Sequence, residues 1–424
     1  MNLTLRRACV AVCAAAAVAT SLLAVSAGAQ AGIALPHVVS ETPAAYTPNL
    51  VSTQQISHPA AYAIAAAPNG ATMYVGGQFS AVANVNGLPQ PRANIAAFNT
   101  STGKLTSFAP DINGNVWAIV PIGGYVYVAG EFSAVDGVSR LGVAKLTTSG
   151  AVVSTWNAPW SRGKAYDMKL VGGRLVLGGN FPGALLALNQ TNGANTKFLS
   201  LGISGSEPNG GLTKVYRFAV SPDGSRLVAI GNFLKPHTRA FMVNMTTGTV
   251  ADWYYQPLAD DCKLPVKLPA PLRGVDFSPD GSYFVIVATG GVATQGNIGK
   301  DVCDAAARFN TNMPNPTRPV WINYTGGDTL HSVTVSSTAV YVQGHNRWLD
   351  NPQGHDTCLT TCVSRPGIGA IDPDSGRALS WNPTKTRGVG GKALLLTPKG
   401  LWVMSDTQTI GHRHHYGIAL LPEN

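Results

Sequence analysis

The feature that most constrains the fold is a short motif that recurs along the chain at nearly regular intervals. It consists of an apolar run, a glycine, a polar residue and phenylalanine, and it occurs at YVGGQF (74–79), YVAGEF (127–132), LGGNF (177–181) and AIGNF (229–233). The phenylalanines that end these four copies are 53, 49 and 52 residues apart. A period of about 50 residues predicts a β-propeller, in which each repeat forms one blade of short strands.

Seven repeats can be aligned, and each begins with a strand-like run that is rich in apolar residues. These first runs are AYAIAAAP (61–68), VWAIVPI (116–122), AYDMKLV (165–171), VYRFAVS (215–221), LRGVDFS (272–278), LHSVTVS (330–336) and KALLLTP (392–398). A tight turn follows each, as in the SPDG sequences at 221–224 and 278–281. The second run carries the motif, the third is often followed by Thr-Gly or Ser-Gly, and the fourth ends in an aromatic residue close to proline.

The seventh repeat ends at Leu420-Leu421-Pro422 and has no fourth run. A matching run occurs near the start of the chain, where residues 38–50 include Tyr46-Thr47-Pro48 with the same aromatic and proline spacing. We therefore predict an all-β fold, a seven-bladed β-propeller formed by residues 32–424 as a single domain. The N-terminal strand near 38–50 is expected to complete the seventh blade, which leaves few exposed strand edges. Such a closed ring does not require a second copy, so we expect a monomer.

Residues 1–31 have the pattern of an export signal. A charged start, MNLTLRR, precedes an apolar stretch at 8–25 and the small residues SAGAQA at 26–31, which contain an A-x-A cleavage pattern. We predict cleavage near Ala29 or Ala31, and hence a secreted, extracellular protein. The apolar stretch is at the short limit for crossing a bilayer, and no later segment is long and apolar enough. We therefore expect no membrane span after signal removal.

Composition supports a β-rich fold and limits the classes of partner. Charged residues make up 12% of the chain, whereas the 47 glycines and 28 prolines favour many turns and few long charged helices. The formal net charge of +9 favours acidic partners in general. The lysines and arginines are spread thinly rather than clustered, which argues against nucleic acid as a partner.

Four of the six cysteines lie outside the predicted signal. In an oxidising extracellular compartment they are expected to form disulfides, and four cysteines allow three pairings. Cys358 and Cys362 lie in one loop, so we predict that they pair with each other and that Cys262 pairs with Cys303.

Several of these motifs together resemble a known family. The YVGGxF turns, the Thr-Gly hairpins, the Trp-Asn-Pro endings and the sixth-repeat sequences TGGDTLHSV (325–333) and YVQGHNRW (341–348) are similar to secreted bacterial propellers of the delta-sixty repeat type. The resemblance covers almost all of the chain after the signal, although VATGG (287–291) in the fifth repeat lacks the phenylalanine. It implies the propeller fold and says little about activity, beyond a frequent association of such propellers with carbohydrate- or surface-binding modules.

One face of the predicted propeller should carry the functional loops. Successive connections in a four-stranded meander leave at alternate ends, so the loops between second and third strands share a face with the links between blades. Function is often carried by loops on a rigid scaffold. The residue after the second-strand glycine, which lies on this face, is polar at Gln78, Glu131, Asn180, Asn232 and His345, and Asp406 lies near the corresponding place in the seventh repeat. Arginines stand before the third strand: Arg92, Arg140, Arg239 and Arg365. Such repeated residues are expected to brace the blades, with Arg365 kept as a candidate ligand contact.

The sixth and seventh repeats depart from the pattern and are rich in histidine. Six of the nine histidines occur there: His331, His345, His355, His412, His414 and His415. Trp348 adds a flat apolar surface, and nearby Arg and Asp side chains add forks of hydrogen bonds, as sugar or acidic-polymer recognition requires. We predict that this face binds an extracellular glycan or acidic polymer. The predicted ligand-binding residues are Glu131, Asp328, Arg347, Trp348, Arg365, Arg387 and His415.

The same face could instead support catalysis on a carbohydrate. A hydrolase requires two carboxylates roughly 5 to 9.5 Å apart, for which Asp328, Asp350 and Asp406 are available. A lyase requires His or Arg to handle a proton next to a carboxylate, and His345 suits a proton carrier because its pKa normally lies near neutrality. The candidate catalytic residues are His331, His345, Asp350 and Asp406.

A metal-dependent enzyme is a further alternative. In the sequence GHRHH (411–415), His412, His414 and His415 could gather copper or zinc together with His345. Their spacing matches no established ligand pattern, and no nucleophile elbow, zinc-protease helix or phosphate-binding loop occurs in the sequence. We therefore expect no cofactor and no metal, and binding remains the leading prediction.

Overall fold

A computed structural model describes residues 32–208, 210–262, 271–293, 296–352, 356–358 and 361–424. The predicted signal segment 1–31 and His355 lie outside these residues. The regular secondary structure of the described chain is all β-strand apart from one short 3-10 helix at Gln256–Ala259. This confirms the predicted all-β class.

The strands form small antiparallel sheets that follow the predicted repeats. The first two repeats contain β1 (Asn49–Leu50), β2 (Ala60–Ala66), β3 (Thr72–Gln78), β4 (Ala81–Ala83), β5 (Pro89–Pro91), β6 (Ile95–Asn99), β7 (Asn115–Ile122), β8 (Tyr125–Glu131), β9 (Ala134–Val135), β10 (Val138–Ser139) and β11 (Val143–Thr147). The third and fourth repeats contain β12 (Ala165–Val171), β13 (Arg174–Gly179), β14 (Leu185–Asn189), β15 (Lys214–Val220), β16 (Arg226–Asn232), β17 (Ala240–Asn244) and β18 (Thr249–Val250). The first strand of each repeat coincides with the predicted run to within two residues at either end.

The remaining three repeats continue the same order. They contain β19 (Leu272–Phe277), β20 (Tyr283–Ala288), β21 (Ala305–Asn310), β22 (Trp321–Tyr324), β23 (Leu330–Val335), β24 (Val340–Gly344), β25 (Trp348–Leu349), β26 (Val363–Ser364), β27 (Ile368–Ile371), β28 (Ala393–Thr397), β29 (Gly400–Met404), β30 (Thr409–Ile410), β31 (Arg413–His414) and β32 (Ile418–Pro422). We number the main sheet of each repeat from the first to the seventh. The fourth and fifth sheets have four strands, and the other five have three. In the first, second, third and sixth sheets, the predicted fourth run makes an isolated bridge, as between Phe98 and Leu105.

The first strands of the seven sheets are neighbours in chain order. β2 contacts β7, β7 contacts β12, and the series continues through β15, β19 and β23 to β28, which contacts β2. Together these strands line a cavity of about 850 Å³. Residues from all seven sheets line this cavity.

Apolar packing between consecutive sheets holds the described part of the molecule together. Seven clusters of buried apolar side chains each combine residues of two sheets that are neighbours in this series, including the seventh and the first. In the cluster between the seventh and first sheets, the rings of Trp402 and Phe98 have centroids 5.6 Å apart. Full burial of a side chain of this kind contributes roughly 1.5–3 kcal/mol. Packing of sheet against sheet is therefore the main source of stability.

The N-terminal segment lies along β32 in the seventh sheet. The backbone N–H groups of Ser40, Ala44 and Leu50 donate to carbonyls of β32 or of the residues just before it, at 2.7, 2.8 and 2.9 Å. Tyr46 and Tyr416 pack in the same apolar cluster. The edge of the last sheet is thus covered by the start of the described chain.

The cysteines pair as predicted. Cys262 and Cys303 have Cα atoms 5.7 Å apart and an S–S distance of 2.04 Å, and Cys358 and Cys362 have Cα atoms 5.6 Å apart. Both separations suit disulfides. Among the described residues, no helix combines the length and apolar character needed to cross a membrane.

Candidate functional site

The first strands share an irregularity at the end where they begin. In six sheets the pairing of the first and second strands shifts by one residue, which leaves one extra residue in the first strand. Such a β-bulge changes the direction of the extra side chain. The seventh sheet has Lys392 at the equivalent place, where its N–H donates to the carbonyl of Met404 at 2.9 Å. The seven bulge residues are Tyr62, Trp117, Tyr166, Tyr216, Arg273, His331 and Lys392.

The glycine of the repeated sequence motif makes this bulge possible. A Cβ atom at Gly77 would collide with the carbonyl oxygen of Ala60, and one at Gly344 would collide with that of Thr329. Both carbonyls precede the bulge on the neighbouring strand, so the backbones pass too closely there for a side chain. The motif that identified the repeats therefore also determines where the bulge residues lie.

The bulge residues form two chemically different groups. The first four sheets contribute aromatic side chains, and the last three contribute an arginine, a histidine and a lysine. Because the first strands are neighbours in chain order, each group is continuous. We call Tyr62, Trp117, Tyr166 and Tyr216 the aromatic arc, and Arg273, His331 and Lys392 the basic arc. All seven side chains are partly exposed.

The aromatic arc presents ring surfaces. The rings of Tyr62 and Trp117 stack with centroids 4.2 Å apart and an angle of 8°, and those of Tyr166 and Tyr216 lie 6.0 Å apart. Burial raises the pKa of Tyr62 to about 12, and its hydroxyl donates to Gln78 Oε1 at 3.0 Å. Tyr62 is therefore protonated at neutral pH and combines a ring surface with a hydroxyl donor.

The basic arc begins beside the last aromatic residue. The guanidinium carbon of Arg273 lies 5.7 Å from the ring centroid of Tyr216, which joins the two arcs. Burial, followed by the charges of Lys392 and Arg273, lowers the pKa of His331 to about 3, and burial lowers the pKa of Lys392. These shifts indicate a partly buried region of positive potential, which favours an anion.

Four consecutive bulge residues line the central cavity. They are His331, Lys392, Tyr62 and Trp117, from the sixth, seventh, first and second sheets. Ser332, directly after His331, also lines the cavity and is 8% exposed. Its hydroxyl makes no hydrogen bond within the described residues, although buried hydroxyls usually have a partner. The cavity thus has an aromatic wall and a basic wall.

The polar residues after the second-strand glycines have two kinds of environment. Asn232 accepts from the N–H of Glu207 and donates to loop carbonyls, and Asn180 accepts from the N–H of Lys164 at 2.6 Å. These two hold loops in place. Glu131 and Asp406 instead lie close enough to Tyr62 to contribute to its raised pKa.

Part of the site predicted from sequence does assemble. Asp328 is 4% exposed and binds two arginines, Arg347 at 2.7 Å and Arg387 at 2.9 Å. The guanidinium of Arg347 lies over the ring of Trp348 at 4.1 Å, and Arg387 donates to the carbonyl of His345. These five residues form what we call the loop cluster. It adjoins the basic arc, because the ring centroids of His345 and His331 are 6.2 Å apart.

Other predicted residues lie outside both the basic arc and the loop cluster. Asp350 accepts hydrogen bonds from Asn323 Nδ2 at 2.5 Å and from the N–H of Ala378, so its carboxylate fastens neighbouring loops. Arg365 is 7% exposed and donates to the carbonyls of Ser364 and Leu379. Both side chains are committed to the protein and do not face the cavity.

Two more predicted residues also have protein partners. Glu131 is 3.5 Å from Lys164 and lies in the second sheet, away from the loop cluster. Asp406 accepts from the N–H groups of Val389 and Gly390 at 3.2 and 3.3 Å, next to the seventh first strand. Of the two, Asp406 is the nearer to the basic arc, since its charge also acts on Lys392.

The three histidines near the C-terminus do not converge. The Nδ1 atom of His415 is 3.0 Å from Thr47 Oγ1, His412 Nε2 is 3.4 Å from Thr384 Oγ1, and His414 is exposed. Within the described residues, no group of three or more His, Cys, Asp and Glu side chains is arranged to hold a metal ion. The described residues therefore give no support to the metal alternative built on His412, His414 and His415.

The sequence contained a signal for the bulge residues that the spacing argument did not use. When the first runs are aligned, the second position reads Tyr, Trp, Tyr, Tyr, Arg and His in six repeats, and Lys stands one place earlier in the seventh run. Of these, only His331 was predicted as a site residue. The same change of residue type could arise by chance at an exposed strand position. The alignment therefore became informative only once the structure showed a bulge there.

Comparison of the chain with models of known protein families finds no match, and comparison with curated proteins finds none. The functional argument therefore depends on the bulge residues and the cavity that they line.

Proposed function

We propose that this chain is a secreted seven-bladed β-propeller of the delta-sixty repeat type that binds an acidic carbohydrate at the mouth of its central cavity. The cyclic series of first-strand contacts and the seven inter-sheet clusters support the propeller. The N-terminal segment along β32 supports closure of the last blade. The predicted export signal and the two cysteine pairs support an extracellular location.

One observation carries the binding proposal, namely the division of equivalent bulge positions into an aromatic arc and a basic arc. Aromatic rings offer flat apolar surfaces on which the C–H faces of sugar rings stack. Arginine and lysine form charge-assisted hydrogen bonds with carboxylates or sulfates. A ligand that fits both arcs must have an apolar ring face beside an anionic group, as in an acidic sugar.

The size and position of the cavity agree with this ligand class. A volume of about 850 Å³ lies within the range of binding pockets for small molecules and could accept a few sugar units. The loop cluster extends the basic region outward from His331, which would let a longer chain continue across the face.

A matched pair of tryptophan variants tests the proposal. We expect Trp117→Ala to weaken binding of oligogalacturonate, alginate or hyaluronate oligosaccharides about tenfold, equivalent to about 1.4 kcal/mol for a lost stacking surface. Trp348→Ala removes the tryptophan of the loop cluster and should change affinity little. Isothermal titration with each oligosaccharide, and with neutral dextran as control, measures both effects.

The opposite ranking of the two variants would place the ligand on the loop cluster instead. Equal affinity for charged and neutral oligosaccharides would contradict the role of the basic arc. Absence of binding to every acidic oligosaccharide would reject the proposal.

A further inference from the structure

The structure disfavours hydrolysis by the carboxylates that the sequence offered. Asp328 is held by two arginines, Asp350 accepts from neighbouring loops, and Asp406 accepts two backbone N–H groups. A glycoside hydrolase needs a pair of carboxyl groups on either side of the scissile bond, one of them ready to give up a proton. These three are committed to holding the protein together.

The basic arc contains a different kind of proton acceptor. The Nε2 atom of His331 lies 3.2 Å from the carbonyl oxygen of Val389, and a carbonyl can only accept. Nε2 therefore carries the ring proton, and Nδ1 carries the lone pair. The low pKa of His331 keeps the ring neutral at neutral pH, so this lone pair is available as a base.

Two cations flank this imidazole. Arg273 and Lys392 come from the first strands on either side of His331, and their charges act on its ring. A carboxylate bound between them would be stabilised most when negative charge builds up on it. Among the described residues, the ammonium of Lys392 has no hydrogen-bond or ion-pair partner, which leaves it available to a ligand.

We propose that this protein cleaves uronate chains by β-elimination at the mouth of the cavity, with His331 as the base and Tyr62 as the acid. This inference rests on the proposed function, because it requires the acidic sugar to bind across both arcs. Tyr62 is assigned the acid role because it lines the cavity next to Lys392 in the series of first strands, and its hydroxyl proton, which Gln78 Oε1 accepts in the free site, passes to the leaving oxygen when the substrate is bound.

The reaction balances without an oxidant, a reductant or a metal. Nδ1 of His331 takes the proton from C5 of the uronate, and the electrons of the C5–H bond form a double bond between C4 and C5. The C4–O bond breaks, and the leaving oxygen takes the hydroxyl proton of Tyr62. Arg273 and Lys392 stabilise the charge that develops on the carboxylate, and solvent returns the proton from His331 to Tyr62.

Binding of the substrate also improves the base. The two cations lower the pKa of His331, and a carboxylate between them offsets their charge. The pKa of the imidazole therefore rises when the acidic sugar binds. The free site keeps the imidazole neutral, and the complex makes it a stronger proton acceptor.

The test follows the ultraviolet absorbance of the unsaturated uronate that only elimination produces. Wild-type protein is incubated with polygalacturonate, alginate and hyaluronate, and we expect absorbance to rise with at least one of them. His331→Gln and Tyr62→Phe should each lower the rate about 100-fold or more, because each removes a proton-transfer group. Oligosaccharide affinity should change less than about threefold, since phenylalanine still stacks on Trp117 and most contacts remain. His58→Gln, which alters an exposed histidine, is the matched control and should have the wild-type rate.

The outcomes separate this inference from the proposed function. Binding of all three polymers without unsaturated product overturns elimination and leaves binding intact. New reducing ends without the absorbance indicate hydrolysis and also overturn it. Full activity in His331→Gln rejects His331 as the base. If the wild-type protein neither binds nor cleaves any of the three polymers, both proposals are rejected.

Discussion

Two sets of equivalent positions in this molecule behave in opposite ways. In the first, second and sixth sheets, the residue three positions before the third strand is an arginine. These arginines are Arg92, Arg140 and Arg365. Each donates to the carbonyl of the residue before it and to a carbonyl of the fourth run. At the bulge, by contrast, the backbone geometry recurs while the side chain changes from aromatic to basic.

This comparison shows how a repeat protein separates stability from recognition. A side chain that makes the same internal contacts in several sheets stabilises each sheet and cannot distinguish one ligand from another. A side chain that varies at a constant backbone position makes one sector of the cavity different from the next. Under the proposed function, the bulge residues carry recognition, whereas the repeated arginines stabilise the sheets.

The largest expected effect is on the repeated arginine of the sixth sheet. Arg365→Ala should lower the free energy of unfolding by about 2–4 kcal/mol, because it removes the hydrogen bonds that the largely buried guanidinium donates to the carbonyls of Ser364 and Leu379. Binding of acidic oligosaccharides should be unchanged in the folded variant. Chemical denaturation and titration measure the two quantities, and Arg377→Ala, an exposed arginine of the same repeat, is the control. If the variant binds more weakly but is as stable as the wild type, Arg365 contacts the ligand, as predicted from the sequence.

In the seventh sheet, the residue three positions before the third strand is a histidine, so its contribution to stability depends on pH. His415 stands three residues before β32, contacts Thr47 of the N-terminal segment, and has its pKa lowered from 6.5 to about 4, chiefly by burial. As pH falls, the unfolded chain takes up the proton first, so the stability present above pH 6.5 is lost toward pH 4. At about 1.4 kcal/mol per pH unit, this single group should remove about 2–3 kcal/mol by pH 4.

Denaturation of wild type and His415→Gln at several pH values isolates that contribution. The variant cannot titrate at this position, so its stability should depend less steeply on pH between 6.5 and 4. Parallel pH curves for the two proteins would show that His415 is not protected from protonation by burial against the N-terminal segment.

The smallest expected effect concerns the binding of the ligand by the bulge residues. Lys392→Ala should weaken binding of acidic oligosaccharides about tenfold or more, because a charge-assisted hydrogen bond contributes about 1.5–3 kcal/mol. Lys104→Ala removes the same charge from an exposed lysine outside the cavity and should change affinity little. Equal losses in the two variants, measured by titration, would mean that net charge alone attracts the ligand.

Much of the fold was predictable because its signals are local. Apolar runs, Pro-Asp-Gly turns and the repeated glycine act within a few residues, and each first strand was predicted to within two residues at either end. The cysteine pairs followed from their positions in the repeats. The candidate site was predicted only in part. Asp328, Arg347 and Arg387 form the predicted group of charged side chains. Asp350 and Arg365 instead bind partners within the protein, and no sequence motif predicts these contacts.

The sequence by itself determined the strands, their repetition and the glycines that mark the end of each second strand. Only the tertiary structure decided which side chains share the cavity. In a regular strand, alternation assigns each residue to a face, but a bulge inserts one residue and restarts the alternation. Whether Tyr62 or His331 points toward the cavity therefore depends on the partner strand across the sheet, whose glycine allows the close approach. That contact joins residues distant in sequence, and it exists only once the sheets have formed.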